Sequence, residues 1–533
     1  MRVDVVIVGA GSAGCVLANR LSADPDLSVL LLEAGPRDRH PLLRVPKGFG
    51  KLIADPRFAW HFPTEPVGSA RRAEKWVRGR VLGGSSAING LVYNRGHRED
   101  YDELVRLGNP GWGWEEMLPV FRAIEDHALG GSASRGAGGP QPVDVPAAED
   151  PLCEDMIASG AQLGLDAVED VNDSDAERIG LSPMTARGGR RVSAAHAFLH
   201  PVRRRPNLRV RTGVTVDSVV FEGDRAVGVR GRARGRPVEI RCAREVVLCA
   251  GSIGSPKLLQ LSGIGPGEAL RPLGITARVE SPQVGARMRE HRAVPLQFRL
   301  NDDLGYNRHL SSPGAQARSA LRYLATSGGP LAAASFDVLG FLKTDPDLPR
   351  PDAQVLLAPF SLRPHDAGGE AELEREPGVQ AIGYALRPTS EGRLAVTSAD
   401  PDADLAIDPG FLTTAHDRRT TAGTLRRMRE LFAQEPLAHH LVEETLPGTD
   451  VVDEDEIADA ALNRGHCGYH AMGTCAMGPA DADVLDPRMR VRGVSGLRVV
   501  DSSSLPAMVS GNLNAPVMAT AWRAAEFVLD QSS

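Results

Sequence analysis

The first 33 residues, MRVDVVIVGAGSAGCVLANRLSADPDLSVLLLE, admit few folds. Val3 to Val8 is an apolar, β-branched run of strand length, and CVLANRLSAD continues as a helix. Gly9, Gly11 and Gly14 stand between them in GAGSAG. A second strand, Ser28 to Glu33, ends in an acid 19 residues beyond Gly14. Glycines in such a turn allow a sharp reversal and a close approach of backbone to a pyrophosphate at the helix N-terminus. A carboxylate closing the second strand accepts hydrogen bonds from ribose hydroxyls. The competing reading is a plain βαβ unit with an ordinary tight turn. Strand, turn, helix, strand and acid in one register favour dinucleotide binding, with Gly9, Gly11, Ser12, Ala13, Gly14 and Glu33 as contacts. Glu33 is followed by AGP, which leans toward FAD over a nicotinamide.

The same stretch begins with a charge and an apolar run, as a secretory signal does. Asp4 breaks that run and ordered glycines follow it, so a first strand is the better reading. The chain of 533 residues is too long for one simple core, and two or three domains are expected. A net charge of −7, from 61 Lys and Arg against 68 Asp and Glu, gives no basic stripe and no reason to expect nucleic acid. Elsewhere the sequence contains no apolar run long enough to span a bilayer, although a peripheral contact with membrane would leave no mark. Six scattered cysteines make no disulfide framework, and reduced thiols in a cytoplasmic protein are the simpler expectation.

Three later stretches carry chemistry. GRVLGGSSAINGLVYNRG, from Gly79 to Gly96, concentrates glycine and small hydroxyls, so the backbone at Gly83, Ser85, Asn89 and Gly90 can touch a flat or anionic group. A glycine-rich connector is the bland alternative. REVVLCAGSIGSPKLLQLSGIGP predicts a strand from Glu245 to Cys249, a glycine turn, and a helix opening at Pro256 with Ser255 as its cap. CGYHAMGTCAMG, from Cys467 to Gly478, sets one histidine, His470, between two cysteines. A zinc site needs four ligands in characteristic pairs, and no second pair lies near, so no metal is expected. Cys467 and Cys475 read as packing. His470 is left as a near-neutral base. His466 competes with it, while His196 and His291 read as structural.

These stretches resemble the glucose–methanol–choline family of FAD-dependent oxidoreductases. Both family signatures are present, in GRVLGGSSAINGLVY and GSIGSPKLLQLSGIG, and YHAMGTCAMG and the tail LRVVDSSSLPAMVSGNLNAPVMATAWRAAEFV match as well. The resemblance implies an α/β chain with a discontinuous, Rossmann-like FAD-binding domain in three pieces, 1–150, 192–295 and 465–533. Residues 151–191 would be a substrate-side insertion or connector, and 296–464 a mostly antiparallel-sheet substrate domain. It further implies that His470 takes the proton of a primary alcohol while hydride passes to flavin N5, with Asn514 holding the alcohol oxygen. A helix cap is the bland reading of Asn514. Val216 is expected near adenine, and Asp501 near the pyrophosphate or ribitol unless it merely caps a turn. Some family members bind FAD covalently through a histidine before the asparagine of the glycine–serine stretch. Ile88 stands there, so non-covalent FAD is expected.

By resemblance the chain is closest to bacterial choline and alcohol dehydrogenases, which favours a quinone or carrier over oxygen as electron acceptor. An alcohol oxidase producing hydrogen peroxide is the alternative, followed by a hydroxynitrile lyase that keeps FAD without using its redox chemistry. A flavin-binding module without catalysis would not need the His470–Asn514 pair. Choline would want aromatic faces or a carboxylate near the flavin, yet aromatics are 5% of the chain, and Phe336, Phe341 and Phe360 read first as sheet core. The oligomeric state is not legible.

Overall fold

The apolar runs VVIV and VLLLE have no polar face, and strands of that kind are buried on both sides of a parallel sheet. The computed structural model, which describes residues 2–363 and 372–530, places them so. Strand Arg2–Val8 pairs in parallel with Val29–Glu33, Val5 opposite Val29 and Val8 opposite Leu32, and helix Ser12–Leu21 makes the crossover. Leu208–Thr212 extends the sheet on one side. On the other lies Arg236–Leu248, whose first half forms an antiparallel meander with Arg225–Ala233 and Val214–Glu222. Its second half runs parallel to Arg2–Val8 and to Leu497–Val499 from the tail.

The parallel strands thus deliver Val8, Glu33, Leu248 and Val499 to one end of the sheet. Ligands bind in the crevice outside such carboxyl ends. The turns beginning at Gly9, Ala34, Gly251 and Asp501 all lie there.

One local expectation is corrected. The helix expected to open at Pro256 spans Gly251–Leu261 and so starts five residues earlier. A proline inside a helix frees the carbonyl four residues back. Here that is Ser252 O, which accepts from Thr474 Oγ1 at 2.7 Å. The cost of the proline is met by the GTC stretch. Ser255 is then not a cap; its Oγ donates to Asp501 Oδ2 at 2.6 Å.

The second sheet has the order Leu441–Leu446, Val294–Leu300, Gly378–Ala385, Ala353–Ala358, Val338–Leu342, Arg178–Leu181 and Asp166–Ala167. Its pairs are antiparallel except the last, which is parallel. Residues 166–167 and 178–181 are therefore strands of this sheet. Gly378–Ala385 is buried along its whole length, beneath helix Ala415–Phe432. At Gly383 a Cβ would stand 2.5 Å from Thr424 Cγ2, so glycine sets how closely helix and sheet approach. Among the described residues, no helix is long and apolar enough to cross a membrane.

Candidate active site

Residues 289–292 lead into the second sheet, and 467–472 belong to the stretch CGYHAMGTCAMG. They meet as a short antiparallel ladder, Arg289 bridging Met472 and Arg292 bridging Cys467. Three steps on one side face five on the other, so the second strand bulges, as unequal counts require. Tyr469, at φ 62°, sits in the bulge and turns His470 inward over His291. Glu290 anchors both backbones: its Oε1 accepts from the amides of His291 and His470 at 2.8 and 2.7 Å. Burial pushes this carboxyl up to about 7, against the pull of Arg78 and the amides.

The side chains then fix one another's protons. His291 Nε2 lies 3.0 Å from Leu386 O, a pure acceptor, so Nε2 carries hydrogen. Burial lowers the pKa of His291 to about 4, so the ring is neutral and its Nδ1 is a bare acceptor. His470 Nδ1, 2.8 Å away, must donate to it. That leaves the lone pair of His470 on Nε2. The pKa of His470 is itself held well below 6.5, by loss of water and by His291, Arg78 and His466 nearby. Tyr384 stacks on His291 with centroids 4.4 Å apart.

The nitrogen that faces this lone pair belongs to Asn512, at 3.2 Å. Tyr384 donates to Gln354 Oε1, and Gln354 Nε2 donates to Asn512 Oδ1 at 3.3 Å, which turns the Asn512 amide nitrogen toward His470. Gly511, at φ 97°, permits this placement, since a Cβ there would lie 2.1 Å from Asn94 Nδ2. Asn514 is elsewhere. It is the first residue of helix Asn514–Leu529 and its Oδ1 accepts from Ser12 Oγ at 2.7 Å. The pairing of His470 with Asn514 is therefore corrected to Asn512. The two asparagines stand two residues apart in GNLNAPV, and the helix start carries the second away toward the glycine turn. His291, which reads as structural in the sequence, is brought against His470, with their Nδ1 atoms 2.8 Å apart. His466 does not enter the cluster, its Nδ1 lying 2.8 Å from Cys467 O.

The glycine stretches meet at the end of the first sheet. Gly83 N donates to Ala10 O at 2.7 Å, and a Cβ on Gly84 would stand 2.6 Å from Gly11 Cα. A Cβ on Gly14 would lie 1.9 Å from Gly9 O. Helix Ser12–Leu21 starts at Gly11 with no side-chain cap, leaving its first amides for an anion. Glu33 accepts from Ala10 N at 3.0 Å and Gly35 N at 2.8 Å, which uses about half of a carboxylate's acceptor sites. Burial raises Glu33 to about 7. Ser85 Oγ accepts from Gly79 N, and Asn89 Oδ1 from Leu91 N and Arg191. Gly90 faces Ser335, whose Oγ is buried with no hydrogen-bond partner. Val216 is half-buried on the edge strand of the first sheet. Both Asp501 oxygens are engaged, on Ser503 and on Gly251 and Ser255. The Asp501 side chain thus caps a turn and ties the tail to helix Gly251–Leu261.

Cys15, Cys153, Cys249, Cys467 and Cys475 are buried and form no disulfide. Burial pushes the thiols of Cys467 and Cys475 well above their usual range, which leaves them protonated and unreactive.

Residues 3–293 match the N-terminal model of the GMC oxidoreductases and residues 388–521 the C-terminal one. The chain is 38% identical to the mitochondrial choline dehydrogenase of Mus musculus over 98% of this chain and 89% of that protein. It is 36% identical to an alcohol dehydrogenase [acceptor] of Pseudomonas putida, over 99% and 95%. Among solved structures it resembles pyridoxine 4-oxidase from Mesorbium loti, with a TM-score of 0.88 and 32% identity over 98% of this chain and 99% of that one. With both halves of the fold and the sequence signatures in agreement, the chain belongs to the GMC oxidoreductase family.

Proposed function

We propose that this protein oxidises a primary alcohol to an aldehyde, with His470 Nε2 as the base and Asn512 as the group that holds the substrate oxygen. The observation that carries the reading is the proton chain from Leu386 O through His291 to His470, which leaves one lone pair directed at Asn512. FAD is the cofactor, and the first sheet with its three chain segments is its binding unit. The residues fit it: glycines meet where a Cβ would collide, a helix N-terminus is uncapped, Glu33 keeps free acceptor sites, and Ser335 Oγ lacks a partner. Gly9, Gly11, Ser12, Ala13 and Gly14 would hold the pyrophosphate and Glu33 the ribose. Gly83, Ser85, Asn89 and Gly90 would hold the isoalloxazine side, with Val216 toward adenine. Asp501 acts through the turn it caps. Bound FAD supplies a hydride acceptor.

The protein's own groups do the rest. His470 Nε2 takes the hydroxyl proton, worth roughly 10²- to 10⁴-fold for a well-placed base. The Asn512 amide donates to the oxygen as charge develops there. His291 is a positioning residue: it keeps the His470 hydrogen on Nδ1. The substrate reading stays at a primary alcohol. Phe341 and Phe360 each already carry a cation over one ring face, Arg178 and Lys47 at 4.1 and 5.3 Å, and choline stays one candidate among primary alcohols. A small-molecule alcohol and an acceptor other than oxygen, a quinone or carrier, are the proposed partners.

His470→Ala should slow anaerobic flavin reduction by roughly 10²-fold or more with FAD retained. Asn512→Ala should cost about 10²- to 10³-fold in the same rate. Asn514→Ala should instead weaken FAD retention and leave the reduction rate of loaded enzyme near the parental value. A His470 variant reducing at the parental rate would remove the proposed base.

The acid limb of the reduction rate follows from the direction of the His470 shift. A base works unprotonated, and its pKa is lowered, so the rate should stay on its plateau through pH 6.5 and fall only at lower pH. Stopped-flow reduction across pH 4 to 8, the range bracketing an unperturbed histidine at about 6.5, checks this; a midpoint at or above the ordinary value contradicts it.

Ile88 is buried in an apolar cluster with Leu43, Phe58 and Val81 and offers no nucleophile, so FAD binding is proposed to be non-covalent. Acid precipitation should release the yellow colour to the supernatant, and a yellow pellet refutes the claim. For the acceptor, the reduced enzyme should reoxidise in air far more slowly than it turns over with a quinone or dye. Reoxidation at the turnover rate, with hydrogen peroxide formed, would make the protein an oxidase.

A further inference from the structure

We infer that Asp38, His196 and His200 form a site for a divalent transition metal, with zinc the ion their chemistry fits best, outside the alcohol site. Asp38 lies five residues past Glu33, in the loop that leaves the second strand of the first sheet. His196 lies within the π-helical turn Ala195–Leu199 and His200 follows directly after it. Four positions is close to one turn of such a helix, so both rings project from the same side, and their centroids are 4.4 Å apart.

The three candidate ligand atoms all lie within 4.8 Å of one another. His196 Nδ1 is 3.3 Å from Asp38 Oδ2, and His200 Nε2 is 3.1 Å from the same oxygen. Zinc bonds of about 2.0–2.2 Å in tetrahedral geometry separate neighbouring ligand atoms by roughly 3.3–3.5 Å. A plain carboxylate–imidazole cluster accounts for these contacts less well. Asp38 Oδ2 is buried beside both nitrogens, yet it is aligned to accept a hydrogen bond from neither. The one aligned contact is from His200 Nε2 to Oδ1, at 3.2 Å. A buried oxygen with its lone pairs unfilled between two imidazoles is what a cation would satisfy. Two imidazoles and a carboxylate suit zinc, and the His200 side chain is 32% exposed, so water can reach a fourth position.

Two neighbours bear on the site. Arg44 is close enough to act electrostatically on His196 and opposes a cation. Ser193 Oγ lies 3.0 Å from His196 Nδ1 and would surrender that contact when the ion takes the lone pair. Ser193 also stands where a Cβ on Gly83 would be, at 3.1 Å. A bound ion would therefore brace the loop after Glu33 and the turn under Gly83, two sides of the dinucleotide crevice. Its role would be structural, and it takes no part in the alcohol chemistry.

The test is a calorimetric titration of tag-free, chelator-treated holoenzyme with Zn²⁺, followed by Co²⁺ as a spectroscopic probe. One equivalent of Zn²⁺ should bind per chain, and Co²⁺ should give the intense visible bands of a four-coordinate site. His200→Gln and Asp38→Asn should each weaken binding roughly 10- to 100-fold or more, a loss at least as large as that of a group behind a ligand. His416→Gln, on an exposed helix face, should leave it unchanged. Flavin absorption of each variant reports that it has folded. Less than one equivalent bound by the parent protein would overturn the proposal, and so would stoichiometric binding that survives both substitutions.

Discussion

Backbone against backbone, with no side chain between, is the contact on which the rest of this molecule depends. Gly14 packs on Gly9 O, Gly84 on Gly11 Cα, and Gly35 on Arg80 O, each where a Cβ would intrude to 2.6 Å or less. These contacts lock the first glycine turn, the loop after Glu33 and the Gly83–Gly84 turn into one wall. Glycine loses more conformational freedom on folding than any other residue, so such a wall is costly to order. The parallel strands beneath it offset that cost, being buried on both faces from Val5 to Val8 and from Val29 to Leu32.

From that wall the tail acquires its position. Asn514 is held by Ser12, at the start of the first helix, and two residues earlier the chain presents Asn512 to His470. Ser510, just before, is fixed by Asp100 through both its amide and its hydroxyl. The proposed alcohol site is thus a place where the end of the chain, secured on the cofactor side, faces a ladder secured on the second sheet. Neither sheet alone holds both His470 and Asn512.

What was legible in the sequence follows from the range of the interaction involved. The glycine turn and the acid of Glu33 are written in local spacing, and the structure has them within a few residues of where the pattern puts them. The choice between Asn512 and Asn514 is not local. It is made by a serine 502 positions away, and both asparagines suit a helix start equally well as residue types. His291 was read as structural because its partner lies 179 positions on. The helix at Gly251 was placed too late for a similar reason: Pro256 is tolerated inside it only because Thr474 supplies the hydrogen bond it removes.

The distribution of protons explains why CGYHAMGTCAMG needs just one reactive group. Burial keeps Cys467 and Cys475 as thiols, and it keeps His291 and His470 as neutral rings. A neutral His470 is a ready base but a reluctant cation, because its imidazolium would be poorly hydrated. On the proposed mechanism the reluctance is relieved during the reaction. Once Nε2 takes the alcohol proton, the Nδ1 hydrogen bond to His291 becomes charge-assisted, and such bonds are roughly twice as strong as neutral ones. The same bond that fixes the tautomer at rest therefore strengthens as the proton moves, and only interactions that strengthen along that path accelerate the step. Glu290 holds this pair in place from behind, its Oε1 accepting from the backbone amides of both His291 and His470.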